Sequence, residues 1–421
     1  MVALGARTVR GRTLFAKNSD RPAGECQPLV VAEAAEHAPG ARLRCQYIEI
    51  EQARRTHGFV GAGPYWLWGL EHGVNDCGVA IGNHTIFTKE AIGNEGLQGM
   101  DVVRLGLERA ATATGAVGVL VELIERYGQG GSGYVDTVWP YHNSFLVADR
   151  GEAWLVEASG RHWVAKQARG GLSASNHTTI GEDWDRIGAE TDAFARAQGW
   201  WSGSGRFDFA RAYRDSETVP PVVSSGRYAT TCRALDAASP ALDLASTMRV
   251  MRDHYDGGDV YVPGRTPDDE RYFSVCEHAD PVGQTTASMV VELPDTAGAP
   301  TVVWVAFTNP CVSPYLPLVV GAPVPAAMTA GGAEADAESA WWRFKRLLGW
   351  VEEDFATRGP EVRRHWAALE RSFVAEVNEA EANEAEAKGA DTAALDAVVR
   401  SAWERVSASE LLDGRCGSDA G

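Results

Sequence analysis

The stretch LFAKNSDRP, Leu14 to Pro22, constrains this chain more than any other because of what precedes it. Val2 and Leu4, then Thr13, Leu14 and Phe15, read as two short strands around a turn near Arg10, Gly11 and Arg12. Gly11 supplies the permissive backbone that a tight turn requires. Pairing outward from that turn sets Thr8 against Thr13 and Met1 against Asp20, so Lys17 and Asp20 project beside the chain start. Pro22 ends the second strand, having no N–H for the ladder. By itself the stretch reads first as an edge hairpin with solvated charges at its mouth.

A chain of 421 residues is longer than one ordinary core fills, which predicts a large domain with an appendage. Its net charge of −18 argues against nucleic acid or an anionic membrane as partner, since a phosphate surface would repel it. Seven cysteines at irregular intervals, none in a CxxC pair, fit free thiols in a reducing compartment better than a disulfide framework. Arg7, Arg10 and Arg12 precede any apolar run of signal-peptide length, and no apolar run is long enough to span a bilayer. These features place the expectation in the cytoplasm.

Residues 1–325 mix short strands with a few helices. Gly58 to Gly69 is rich in glycine and aromatics, and Tyr65, Trp66 and Trp68 are bulky enough to wall a substrate pocket. Cys77 to Ile86 reads as a buried strand ending near Asn83, and Met100 to Tyr127 as two amphipathic helices divided at Gly115. Gly128 to Gly133 reads as a flexible loop. His142 to Asp149 and Ala153 to Ala158 form a strand pair, Trp163 to Lys166 another strand, and Gly171 to Ser175 a strand that delivers Asn176. A helix over Asp243 to His254 precedes the strands Thr285 to Leu293 and Thr301 to Thr308, joined by DTAGAP. The pattern predicts a layered α+β domain with antiparallel sheets. Residues 326–421 are expected to hold the end of a linker, which begins at Gly321, and helices over Glu338–Phe355, Glu361–Lys388 and Thr392–Leu412. The acidic VNEAEANEAEAK reads as a solvated helix face.

Several chemistries are disfavoured. No histidine belongs to an HExxH pair, and HYDGGD at His254 to Asp259 lacks the twelfth-position Glu of a calcium loop, so no metal is expected. GQGGSG lacks the GK[ST] ending of a phosphate loop, and no strand carries a GxSxG elbow. Cys77 and Cys276 sit in apolar contexts and read as inert core thiols. Cys26 lies close to the hairpin mouth but has neither a free α-amino group nor an evident base. Taken singly, each asparagine of interest reads as a turn or strand-cap residue.

A resemblance changes the weighting. LFAKNSDRP, PYWLWGLEHGVNDCGVAIGNHTI, LQGMDVVRLGLERA, YGQGG, DRGEAWLVEASGRHWVA, SASNHTTIG, AQGWW, SVCEHAD and QTTASMVVELP follow one another along nearly the whole chain. Together they resemble the secernins and their bacterial relatives, cysteine dipeptidases of the N-terminal-nucleophile hydrolase superfamily. The resemblance implies a four-layer αββα sandwich with a C-terminal helical extension. It implies cleavage of small peptides by a first-residue cysteine whose own α-amino group relays the proton in place of a histidine. It implies no cofactor.

Met1 and Val2 are not nucleophiles, and the resemblance puts the cysteine about three residues upstream of Met1, so the chain as it stands is expected to be inactive. It implies that Lys17 lowers the thiol pKa, that Asp20 holds the α-amino group, and that Asn83 contributes to an oxyanion hole. Asn176 takes the second asparagine position, and Arg227, with Arg233 as competitor, completes the hydrogen-bond network. The alternative is a non-catalytic secernin-like protein that binds peptides or partners, its acidic C-terminal helices serving as the surface.

Overall fold

The computed structural model describes residues 1–237, 241–255, 261, 263, 265–267, 269–296, 298–387 and 392–413. Asp256 to Asp259 of HYDGGD, Ala297 of DTAGAP, Lys388 and Cys416 lie outside these residues. The fold mixes helices with two large antiparallel sheets. The first sheet runs in the order Gly171–Leu172, Val2–Ala3, Thr13–Arg21, Gly283–Leu293, Val302–Phe307, Leu316–Val319, with His278–Ala279 paired beside Gly283–Leu293. The second sheet has eight strands, in the order Arg186–Ile187, His162–Gln167, Ala153–Ser159, His142–Ala148, Ala80–Ile86, His72–Asn75, Phe59–Ala62, Leu29–Ala32.

Alternation along the strands decides what each face packs against. Phe145, Val147, Val156 and Ala165 of the second sheet share a core with the helices Gly99–Arg109 and Ala113–Tyr127. Their neighbours Leu146, Leu155 and Val164 belong to a core with Phe15, Met289 and Val291 of the first sheet. The helices divide at Ala110–Thr112, not at Gly115, because the Thr112 hydroxyl caps the second helix by accepting from Gly115 N at 3.1 Å.

The strand expected from Cys77 starts only at Ala80, after a turn in which Asn75 Oδ1 accepts from Cys77 N and Val79 N. Asn83 therefore sits at the middle of its strand, opposite Phe145, and not at its end. Cys77 is exposed at that turn, which corrects its reading as a core thiol.

The chain start departs most from expectation. Val2 faces Phe15 and Ala3 faces Leu14, four residues from the register that places Met1 against Asp20. The cause is local: Gly5–Arg7 forms a 3-10 helix, and the Thr8 hydroxyl bonds Gly5 O and Arg12 O, so the connection is a wide loop and not a tight hairpin. The second strand spans Thr13–Arg21 and stops at Pro22 as expected. It pairs along its length with Gly283–Leu293, but its other edge meets Val2–Ala3 only at Leu14 and Phe15.

The helices Ala340–Glu352, Phe355–Ala387 and Ala393–Ser407 bury Trp341, Phe344, Trp366 and Phe373 in the first sheet's core. Burial on this scale is worth about 1.5–3 kcal/mol for each such side chain. Trp341 and Trp366 also donate their ring N–H groups to Thr286 O and Val312 O, each at 2.8 Å. The stretch expected to be linker contains a short helix, Ala326–Thr329. The acidic helix is not wholly solvated: Glu381 accepts from Arg10 at 2.7 Å and from Arg12 at 3.0 Å. No described helix is long and apolar enough to cross a membrane.

Candidate functional site

A cavity of about 300 Å³ opens where the Thr13–Arg21 strand outruns its partner Val2–Ala3. Met1, Lys17, Asp20, Asn83, Asn176 and Arg227 all line it, although they lie far apart in sequence. Met1 and Ala16 exchange both backbone hydrogen bonds, at 2.7 and 2.9 Å. Alternation in an antiparallel ladder turns the backbone groups of Asn18 and Asp20 to that same edge, beyond the end of the partner strand. Burial, reinforced by the Lys17 cation, lowers the Met1 amine to about 5.

Arg227 organises one wall. It lies on the helix Val222–Asp236 and donates to Asp20 Oδ2 at 2.7 Å, to Asn176 Oδ1 at 2.8 Å and to Glu277. The other Asp20 oxygen accepts from the Thr285 hydroxyl at 2.6 Å. Burial pushes the Asp20 carboxyl upward and the Arg227 guanidinium opposes it, a balance that fixes the carboxylate's position more than its charge. Asn176 is held at both ends of its amide, with Nδ2 donating to Thr85 O at 3.1 Å. Arg233, the competitor for this role, bonds Thr230 and does not reach the cavity.

The opposite wall is a second ionic group. Lys17 Nζ is buried and lies 3.1 Å from Glu71 Oε2, with Arg21 Nη1 3.6 Å from the other oxygen. The cation expected to act on a thiol is thus already offset by a carboxylate. The Asn83 amide belongs to the same group: with its nitrogen turned toward the carboxylate it donates to Glu71 Oε2 at 3.0 Å and to Glu71 O at 2.9 Å. Glu71 and Glu277 each stand within a matched motif, LEHG and SVCEHAD, yet nothing local marks them as partners of Lys17 and Arg227.

The aromatic wall differs from the expected one. Tyr65, Trp66 and Trp68 do not line the cavity: Tyr65 packs on the first sheet's core, and Trp68 lies under the Arg104 guanidinium at 4.2 Å. Tyr134, Trp139 and Tyr141 line it instead, from the segment following GQGGSG. That segment is pinned, since Ser132 O accepts from Tyr47 and Gln98, and Arg21 donates to Gly133 O and lies over the Tyr134 ring at 5.0 Å. Gly131, with φ +82°, has no room for a side chain because an added Cβ would meet the Tyr47 ring at 2.2 Å.

His84 also lines the cavity, a histidine that the expected mechanism does without. Burial, then the Lys17 and Arg227 cations, hold its imidazole neutral and well below the ordinary histidine range. Cys26 is buried away from the cavity, and burial pushes its thiol up to about 12.

No family model matches the chain. Solved structures similar to it include penicillin V acylase from Agrobacterium tumefaciens, 14% identical, covering 76% of this chain and 84% of that one with a TM-score of 0.42. A mutant conjugated bile acid hydrolase from Clostridium perfringens is 11% identical, covering 73% of this chain and 88% of that one with a TM-score of 0.41.

Proposed function

We propose that the cavity is the active site of an N-terminal-nucleophile amide hydrolase, a cysteine-type dipeptidase acting on small peptides. Its scaffold on this reading is the four-layer αββα sandwich, residues 1–325, with residues 326–421 as linker and helical extension. The observation that carries the reading is the register at the chain start, where Val2 faces Phe15 and Met1 bonds Ala16 in both directions. Three more residues continuing that ladder lie against Lys17, Asn18 and Ser19. A cysteine at the first of them stands one position from Asp20, against the edge that the Val2–Ala3 strand leaves free.

The chemistry then follows from the groups present. The cysteine's α-amine takes the thiol proton, and the sulfur attacks the peptide carbonyl carbon, placing negative charge on its oxygen. The C–N bond breaks as the ammonium returns the proton to the leaving amine, and water hydrolyses the thioester. Asp20, fixed by Arg227 and Thr285, accepts from the ammonium. Asn176 donates one N–H to Thr85 O and keeps its second for the oxyanion, a contribution of about 10²–10³ in rate. Asn83 commits both N–H groups to Glu71, so its role is the weaker of the two.

The test is a chain extended ahead of Met1 by Cys-Asp-Thr with a free amino terminus. It is expected to hydrolyse dipeptides and to lose turnover when the cysteine becomes alanine, while the chain starting at Met1 shows only residual rate. An extended chain inert across a broad amide panel overturns the reading. If that chain still binds peptides, the non-catalytic alternative takes its place.

A further inference from the structure

Behind Glu277, on the side away from the cavity, lies a group of side chains that the hydrolase reading does not use. His254 follows the helix Leu244–Met251, Cys276 and His278 flank Glu277, and Cys311 sits in the turn after the strand Val302–Phe307. We infer that these four residues form a structural metal site for a zinc-class divalent ion. The inference is independent of the proposed reaction.

Geometry carries it first. One ligand atom from each residue lies within 4.8 Å of all the others. His278 Nε2 is 3.3 Å from Cys311 Sγ and 3.7 Å from Cys276 Sγ. A tetrahedral zinc with bonds of about 2.3 Å to sulfur and about 2.0–2.1 Å to nitrogen separates its ligands by roughly 3.3–3.8 Å. The four groups thus stand close to the spacing a bound ion requires. Two thiolates also balance a divalent charge, which an apolar interior demands.

All four residues are buried, with His254 and Cys276 at 0% exposure. Among the described residues the His254 ring nitrogens find no oxygen or nitrogen partner at hydrogen-bond geometry, and the polar group beside the ring is the Cys276 thiol. A fully buried imidazole with no better partner than a thiol is costly, and an ion at the centre satisfies the nitrogen that faces it.

The surroundings hold the ligands in place, as metal sites require. Asn309 Nδ2 lies 3.8 Å from Cys276 Sγ and donates to Glu277 O at 2.6 Å. Glu352 stands 4.0 Å from His278 Nδ1, the nitrogen facing away from the thiols, and the Tyr261 ring stacks on His278 at 4.2 Å. Arg252 and Arg363 hold the carbonyls of Pro310 and Ser313 on either side of Cys311. No HExxH pair or calcium-loop spacing in the sequence points to a metal, because the ligands do not share one helix or loop. This set is spread from position 254 to position 311, and only Cys276 and His278 are near neighbours. The ion's role is to pin the segment whose middle residue, Glu277, holds Arg227.

The test is metal analysis of the full chain purified without chelator, together with chain produced in cobalt-supplemented medium. About one equivalent of zinc is expected, and the cobalt form should show intense visible bands with thiolate-to-cobalt charge transfer. Cys311→Ser should roughly halve the charge-transfer intensity by leaving one thiolate, or abolish binding. Cys77→Ser, at an exposed His57, Asp76 and Cys77 group, should change nothing. Wild-type chain with no metal and no cobalt spectrum overturns the inference. So does metal content that depends on Cys77, or a Cys276–Cys311 disulfide in non-reduced peptides.

Discussion

Two polar clusters stand back to back on the segment Cys276–His278, and they reach electrical and hydrogen-bond balance by different means. On the cavity side, the single Arg227 cation sits between Asp20 and Glu277, and burial with the Asp20 charge pushes the Glu277 carboxyl up to about 8, so near neutral pH one cation faces one carboxylate and one protonated carboxyl. On the other side, His254, Cys276, His278 and Cys311 gather four ligand atoms within 4.8 Å of one another, with no arginine or lysine among them. The first cluster is complete without a ligand and still lies open to one, because Asp20 keeps 22% of its side chain exposed along the cavity. The second is closed to solvent and is completed by an ion. Ligand access, not polarity, separates a reactive site from a structural one here.

Removing the cation from the first cluster is expected to have the largest effect on stability. Arg227→Ala leaves the Asp20 carboxylate without its counter-ion beside the Glu277 carboxyl, and breaking a buried pair in this way costs about 3–5 kcal/mol. Urea denaturation should show that loss, with Arg227→Lys recovering part of it, since lysine keeps the charge but not the planar fork. A loss below about 1 kcal/mol would mean that water entering the cavity balances the carboxylate, and the cluster would not be self-sufficient.

The two clusters were unequally legible in the sequence. The strand signal at Thr13, Leu14 and Phe15 and the stop at Pro22 are local properties, so Lys17 and Asp20 could be assigned to the strand between them directly. The register beside them could not, because the 3-10 turn at Gly5–Arg7 absorbs residues that a tight hairpin would have paired. Arg227 reaches Asp20 across 207 positions and Glu277 across 50, so the resemblance, not the pattern, pointed to it. Tyr65, Trp66 and Trp68 carry a strong local aromatic signal in the wrong place. Tyr134, Trp139 and Tyr141 reach the cavity only because Tyr47, Gln98 and Arg21 fold their segment over it. The thiol and imidazole donors come from segments that touch only in the folded chain.

An effect of intermediate size is expected at Glu157, a buried carboxyl with no salt bridge among the described residues. Glu157 is 1% exposed and accepts hydrogen bonds from neutral donors, Thr179 N at 2.6 Å, Thr179 Oγ1 at 2.9 Å and Ile180 N at 3.1 Å, with the Arg214 cation acting on it without a salt bridge among the described residues. Burial raises its carboxyl from 4.5 to about 7. The folded state then binds this proton more tightly than the unfolded state, so stability is full below about pH 4.5 and falls as pH rises toward 7. The shift corresponds to about 3 kcal/mol. Other buried groups titrate nearby, so the measurement is the difference between wild type and Glu157→Gln across pH 4–8. The glutamine variant should gain relative stability with rising pH. A constant difference would show that the backbone donors keep Glu157 ionised throughout, as a cation would.

The smallest effect on stability should come at the cavity rim, where the first cluster meets solvent. Trp139 is 44% exposed, stacks on Tyr134 with ring centroids 5.7 Å apart, and lies 6.0 Å from Phe87. An aromatic pair of this kind adds about 0.5–1.5 kcal/mol beyond burial, and exposure reduces that further. Trp139→Ala should therefore move the urea midpoint by less than any change above. Its consequence should fall on binding: if the rim receives the side chain of a small peptide, the variant loses affinity for dipeptides with apolar residues and keeps affinity for polar ones. Calorimetric titration of the two peptide classes separates this from loss of shape, which would weaken both alike. A stability loss as large as that of Arg227→Ala would instead make Trp139 part of the packed structure, and the cavity would be closed to ligands in the same sense as the thiol–imidazole cluster.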